Sequence, residues 1–178
     1  MAKPINLRII AGTHRGRRIQ APEREGLRPT PSRVRETLFN WLQGWIEGAR
    51  VLDAFAGSGA LGLEALSRGA SHLDAIEQDP ALAQALANTL TEWGLGNGQA
   101  HRGSGLTAPL SGPYDLVFLD PPFGKGLLAP ALARIREHLS DDCLVAIEHE
   151  PNWALPDGWT VLKATKAGQE HLKLVEPA

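Results

Sequence analysis

The sequence predicts an α/β protein with a mostly parallel, three-layer sheet, and three observations carry that prediction. Short apolar segments alternate with helical patterns from residue 50 to residue 148, which is the pattern of successive βα units. The run Val51-Leu52-Asp53-Ala54-Phe55-Ala56-Gly57-Ser58-Gly59-Ala60-Leu61-Gly62 reads as a strand, a glycine-rich turn and a helix start. Three predicted strands end in an acid, at Asp53, Glu77 and Asp120, on the carboxyl edge where such sheets hold ligands.

Taken in order, Leu7–Ala11 and Arg17–Gln20 are two short strands around Gly12-Thr13-His14-Arg15-Gly16, a basic-tipped hairpin in which His14 is a loop residue. Residues 22–29 form a loop. Thr30 is expected as a helix N-cap with Pro31 at the first helical position. Val34, Leu38, Trp41, Leu42, Trp45 and Ile46 recur at helical spacing as one buried stripe ending near Gly48, with Arg33, Arg35 and Glu36 off it. The alternating part runs strand Arg50–Phe55, helix Ala60–Ser67, strand Ser71–Glu77, and a helix started by Asp79-Pro80. That helix faces Leu82, Leu86, Leu90 and Trp93 inward. Strand Gln99–Gly103, a turn at Leu110–Pro113, strand Tyr114–Asp120, helix Leu127–His138 and strand Cys143–Glu148 follow. Thr160–Ala164 and His171–Val175 resemble a closing antiparallel pair. Residues 1–30 stand apart as a basic extension from a main domain at 31–178.

A chain of 178 residues makes one domain that buries about 70% of its unfolded surface. No stretch is apolar enough to span a membrane and the N-terminus lacks a signal-peptide apolar region, so a cytosolic (cytoplasmic) location is expected. The single cysteine, Cys143, lies in an apolar run and reads as a buried core thiol. A monomer is expected, and no metal site. The net charge of −2 hides an asymmetry. Nine of the eighteen Lys and Arg residues fall in the first 35 positions (Lys3, Arg8, Arg15, Arg17, Arg18, Arg24, Arg28, Arg33 and Arg35), opposed there only by Glu23 and Glu25. Such a cluster is an electrostatic footprint for a phosphate backbone, or else an ordinary solvated face.

The chemistry turns on the acids. A dinucleotide would set its pyrophosphate beside Asp53, and the carboxylate would repel it. A cofactor with cationic groups reverses the sign, and S-adenosylmethionine carries a sulfonium and an ammonium, while its carboxylate suits the following helix N-terminus. Glu77, 24 residues after Asp53, has the spacing of an acid that binds a ribose diol. In Asp120-Pro121-Pro122-Phe123 the prolines remove two N–H donors, leaving carbonyl acceptors near a carboxylate and a flat ring. Acceptors beside a stacking face suit an exocyclic amine on a planar base.

With these pieces the chain resembles a class I methyltransferase, and more closely the RsmD family of bacterial enzymes that methylate a guanine N2 amine in small-subunit (16S) ribosomal RNA. The resemblance rests on Arg8-Ile9-Ile10-Ala11-Gly12, Gly16-Arg17-Arg18, Arg28-Pro29-Thr30 and Arg35-Glu36-Thr37-Leu38-Phe39-Asn40, together with the Asp53–Gly62 loop, Glu77 and Asp120-Pro121-Pro122-Phe123. It implies a Rossmann-like, seven-stranded sheet with an N-terminal β-hairpin and helix, and an assembled or assembling 30S particle as partner. The expected cofactor contacts are Asp53, Phe55, Gly57, Gly59, Glu77, Ser104 and Asp120; the catalytic group is Asp120, Pro121 and Phe123; RNA contacts are Arg15, Arg17, Arg18 and Phe123. Ser104 departs from the family pattern, where many class I enzymes have Asp. Three rivals stay open on the residues alone: an N6-adenine methyltransferase, a nicotinamide oxidoreductase, and a non-catalytic RNA-binding protein.

Overall fold

A computed structural model describes residues 6–27 and 30–178; Lys3, Arg28 and Pro29, part of the basic excess and of the N-terminal signature, lie outside them. The chain runs β1 (Leu7–Arg8), β2 (Arg18–Ile19), α1 (Ser32–Trp41), β3 (Arg50–Asp53), α2 (Ala60–Ser67), β4 (His72–Glu77), α3 (Pro80–Glu92), β5 (Gly98–Arg102), β6 (Tyr114–Leu119), α4 (Leu128–Ile135), β7 (Leu139–His149), β8 (Trp159–Ala167) and β9 (Glu170–Pro177). The main sheet has seven strands in the order β5-β4-β3-β6-β7-β9-β8. β3 to β7 pair in parallel, and β9 inserts antiparallel between β7 and β8. The chain winds outward from β3 to β5, then returns to place β6 on the other side of β3. That reversal opens a crevice between the carboxyl ends of β3 and β6.

Each face of the sheet is covered as the apolar patterns require. Val34, Leu38 and Phe39 of α1, Leu61 and Leu63 of α2, and Leu82, Leu86 and Leu90 of α3 pack on one face, against Val51, Leu73, Leu116 and Phe118. α4 covers the other face with Leu128, Ala131, Leu132 and Ile135, against Leu52, Val117, Val145 and Ile147. Its buried positions repeat at i, i+3, i+4 and i+7, one helical stripe. Cys143 is a buried free thiol, as expected. Among the described residues no helix is long and apolar enough to cross a membrane.

The N-terminal segment differs from its sequence reading in three places. The helix begins at Ser32 with Pro31 as its cap residue, and no side chain caps it; the Thr30 hydroxyl points to two acids instead. The helix also stops at Trp41. Gly44, at φ 86°, turns the chain, so Trp45 swings out to 51% exposure while Leu42 and Ile46 stay buried. The third difference is Arg35, which is 1% exposed and forms part of the core.

Arg35 is buried because the hairpin lies across α1 and α2. Glu64, fully buried on α2, accepts from the backbone N–H of Ile10 (2.8 Å) and Ala11 (3.0 Å) and from Arg68 Nε (2.9 Å), with Arg35 Nη1 at 3.7 Å. Arg35 also donates to the Arg8 carbonyl and to Ser32 Oγ. Gly12 completes the contact: a Cβ there would lie 1.9 Å from the Ser67 carbonyl oxygen, so only glycine permits this approach. His14 stacks on Trp93 with ring centroids 5.5 Å apart, and its backbone N–H donates to Ser67 Oγ. Much of the N-terminal signature therefore locks the hairpin to the helix that follows the glycine loop. Arg24 is likewise engaged, with Asp79 at 3.1 Å. Arg15, Arg17 and Arg18 remain exposed at the hairpin tip, where the Arg17 guanidinium lies over the Trp93 ring.

Candidate active site

The crevice at the carboxyl ends of β3, β4, β6 and β7 is a cleft lined by the glycine loop, the β4–α3 and β5–β6 connections and the Asp-Pro-Pro-Phe segment. Asp53, Phe55, Gly57, Glu77, Ser104, Asp120, Pro121 and Phe123 all line it. The loop is shaped as its residues predict. Gly57 and Gly59 take positive φ, and a Cβ on Gly62 would sit 2.8 Å from the Leu73 side-chain tip, so glycine there lets the helix pack on the sheet without displacing Leu73.

Asp53 closes the β3 end. It is 1% exposed; Oδ2 accepts from the Gly62 N–H at 3.2 Å, and Oδ1 is buried without a partner among the described residues. Burial, then the charge of Asp120, push its carboxyl up to about 7; the Gly62 N–H opposes this and Glu77 adds to it. Glu77, at the end of β4, is held by two backbone donors, Gly57 N–H to Oε1 (2.8 Å) and Asp79 N–H to Oε2 (2.6 Å). Each carboxylate oxygen has a second acceptor site, so Glu77 braces the loop and can still receive hydroxyls. Asp79 caps α3 through Ala81 and Leu82 N–H, as its Asp-Pro sequence predicts. Ser104 Oγ accepts from Leu106 N–H and so caps a local turn, leaving its hydroxyl proton and a second lone pair for a ligand.

Two contributors escaped the sequence reading. Glu148, near the end of β7, and Glu170, at the start of β9, both line the cleft. Glu148 is 4% exposed, and Thr30 Oγ1 stands 3.3 Å from both Glu148 Oε2 and Asp120 Oδ2. Glu148 ends a predicted strand, as Asp53 and Glu77 do, and that position was its available signal. Among the described residues, the lining thus gathers Asp53, Glu77, Asp120, Glu148 and Glu170 against one cation, Lys125. Such a cleft repels phosphates and favours a ligand carrying positive charge. The orphaned buried oxygen of Asp53 beside the glycine loop fits the cationic cofactor expected there.

Comparisons with known proteins agree with this architecture. A family model described as "Conserved hypothetical protein 95" matches residues 7–176. The chain is 42% identical over 177 residues to Ribosomal RNA small subunit methyltransferase D of Escherichia coli (strain K12), covering 96% of this chain and 89% of that one. It is 41% identical over 172 residues to the protein of the same name from Haemophilus influenzae, covering 91% and 89%. The solved structure of the Escherichia coli protein yhhF superposes with a TM-score of 0.88 at 41% identity, over 97% of this chain and 98% of that one. The sheet is accordingly the Rossmann-like sheet of class I methyltransferases. With similarity of this order running from the N-terminal hairpin to the last strand, the chain belongs to the ribosomal RNA small subunit methyltransferase D family.

Proposed function

We propose that the protein transfers a methyl group from S-adenosylmethionine to the exocyclic N2 amine of a guanine in small-subunit ribosomal RNA. The observation that carries this reading is the acidic cleft at the β3–β6 crevice, in a chain whose relatives are named small-subunit rRNA methyltransferases. The same cleft argues against a nicotinamide cofactor, whose pyrophosphate would face Asp53.

When bound, the cofactor supplies an electrophilic methyl group on a sulfonium. Asp53, Phe55, Gly57, Glu77 and Ser104 would hold it, with Gly59, which is not in the lining, shaping the turn, Glu77 receiving the ribose hydroxyls and the Asp53 carboxylate favouring its positive charge. A guanine amine is a poor nucleophile because its lone pair is delocalised into the ring. Asp120 and the Pro121 carbonyl accept its two N–H groups and turn the lone pair toward the reacting carbon; a charged acceptor is the stronger of the two. Acceleration then comes mainly from positioning and from the carboxylate field around developing positive charge. Asp120 also stands ready to take the departing proton. Phe123 stacks on the base once it has left its own stack, returning about 1–3 kcal/mol.

RNA engagement is assigned to the exposed tip of the 1–30 extension, Arg15, Arg17 and Arg18, together with Phe123. The enzyme acts in the cytoplasm as a monomer, on an assembled or assembling 30S particle. The test is transfer from radiolabelled cofactor to small-subunit particles and to naked rRNA, followed by mapping of the labelled nucleotide. Label on a guanine N2 supports the reading; label on adenine, or none, overturns it.

A further inference from the structure

Asp120 has a carboxyl neighbour contributed by the next strand. β6 and β7 run parallel with Leu119 abreast of Ile147, so Asp120 and Glu148 come side by side at the cleft. Thr30 Oγ1 reaches both, at 3.3 Å each, but a hydroxyl carries one proton and satisfies one of them. The register and the shared Thr30 hydroxyl set the two carboxyl groups against each other, and two carboxylates so placed repel unless one of them carries a proton. Glu148 is the buried member, and its Oε1 has no partner among the described residues. A charge at that oxygen would be uncompensated, whereas the carbonyl oxygen of a neutral acid costs far less to bury. Two further acids act in the same sense: Glu170 on Glu148 from β9, and Asp53 on Asp120 from β3. Burial, then Asp120, hold the Glu148 carboxyl well above the ordinary glutamate range, with the Thr30 hydroxyl opposing.

We propose that Glu148 is a positioning residue for Asp120: it carries the proton the pair shares and donates it to Asp120, so that with Thr30 it fixes Asp120 as an ionised acceptor turned to the substrate amine. This rests on the methyl-transfer reading of the cleft. Loss of that proton at high pH sets two adjacent carboxylates against each other and displaces the acceptor.

The experiment is a pH–rate profile of single-turnover transfer to small-subunit particles at saturating cofactor, for the wild type, Glu148→Gln and Glu148→Leu. The wild-type rate falls on the alkaline side as Glu148 ionises. Glu148→Gln keeps a donor at every pH, so it loses that alkaline fall and stays more active than Glu148→Leu. Glu148→Leu fills the space without a donor, and its turnover drops about 10–100-fold while KM for the particle holds. An unchanged alkaline limb in Glu148→Gln, or wild-type turnover in Glu148→Leu, overturns the proposal. Carboxyl ¹³C NMR tests it without activity. One glutamate titrates far above the others, disappears in Glu148→Gln, and moves down in Asp120→Asn because the neighbouring charge is gone. The absence of any such glutamate refutes the shared proton. A wild type that titrates this way but methylates no ribosomal RNA refutes the functional reading alone.

Discussion

Replacing Glu64 with alanine removes the centre of the clamp between the N-terminal hairpin and α2. Arg35, 1% exposed, loses its charged partner at 3.7 Å, and breaking one side of a buried pair costs about 3–5 kcal/mol. The Ile10 and Ala11 N–H groups lose their acceptor at 2.8 and 3.0 Å. Both are part-buried, so water replaces some of that loss and adds only about 1 kcal/mol to the total. The sum, about 4–6 kcal/mol, is a large share of the roughly 5–15 kcal/mol that holds a domain folded. At about 2–4 °C per kcal/mol for this chain length, the melting temperature falls by roughly 10–20 °C. Urea unfolding followed by circular dichroism measures it, with Glu64→Leu, Arg35→Met and the Glu64→Leu/Arg35→Met double variant closing a cycle. Removing both charges together should cost less than the sum of the single changes, because no unpaired charge stays buried. A Glu64→Ala loss below about 1 kcal/mol, or strict additivity in the cycle, would refute the clamp.

Other outcomes follow from the cleft. Because the Asp53 carboxyl sits up near pH 7 and a cationic cofactor binds its ionised form, cofactor affinity should fall up to about tenfold per pH unit below 7 and level off above it. Proton release measured by calorimetry checks this, and a flat profile would sink it. The same raised carboxyl makes the cofactor-free protein lose stability as pH rises from about 4 through 7, since over that window the folded state binds the extra proton. Glu77→Ala removes the acceptor for the Gly57 and Asp79 N–H groups as well as for the ribose, so affinity should drop by about one to two decades with some loss of melting temperature; unchanged titration calorimetry argues against it. Changing Arg15, Arg17 and Arg18 together should weaken RNA binding and flatten its salt dependence without touching cofactor affinity, and a retained salt slope would return them to a solvated face. Asp120→Ala should cut single-turnover transfer by about 10²–10³, Asp120→Asn by less, with cofactor binding kept in both; near-normal transfer by the alanine variant would mean that another group positions the amine.

What the sequence determined alone is what short-range chemistry encodes. The turn at Gly57–Gly59, the Asp79-Pro80 cap, helix α2 and the acids ending β3 and β4 were legible because each depends on residues a few positions apart. The antiparallel ending was legible too, though not that β9 slots between β7 and β8. Only the tertiary structure decided which strands became neighbours. β6 returns beside β3 and brings Asp120 to Asp53; β7 then sets Glu148 against Asp120; and Thr30, 118 residues from Glu148, bridges the pair. Arg35 was misplaced for the same reason. Its helix spacing puts it off the apolar stripe, and it is buried because a distant glutamate and the β1 backbone supply charge and acceptors that no local pattern contains. Burying an ionisable group requires partners, and in this chain those partners come from elements joined only by the order of the sheet and the packing of its helices.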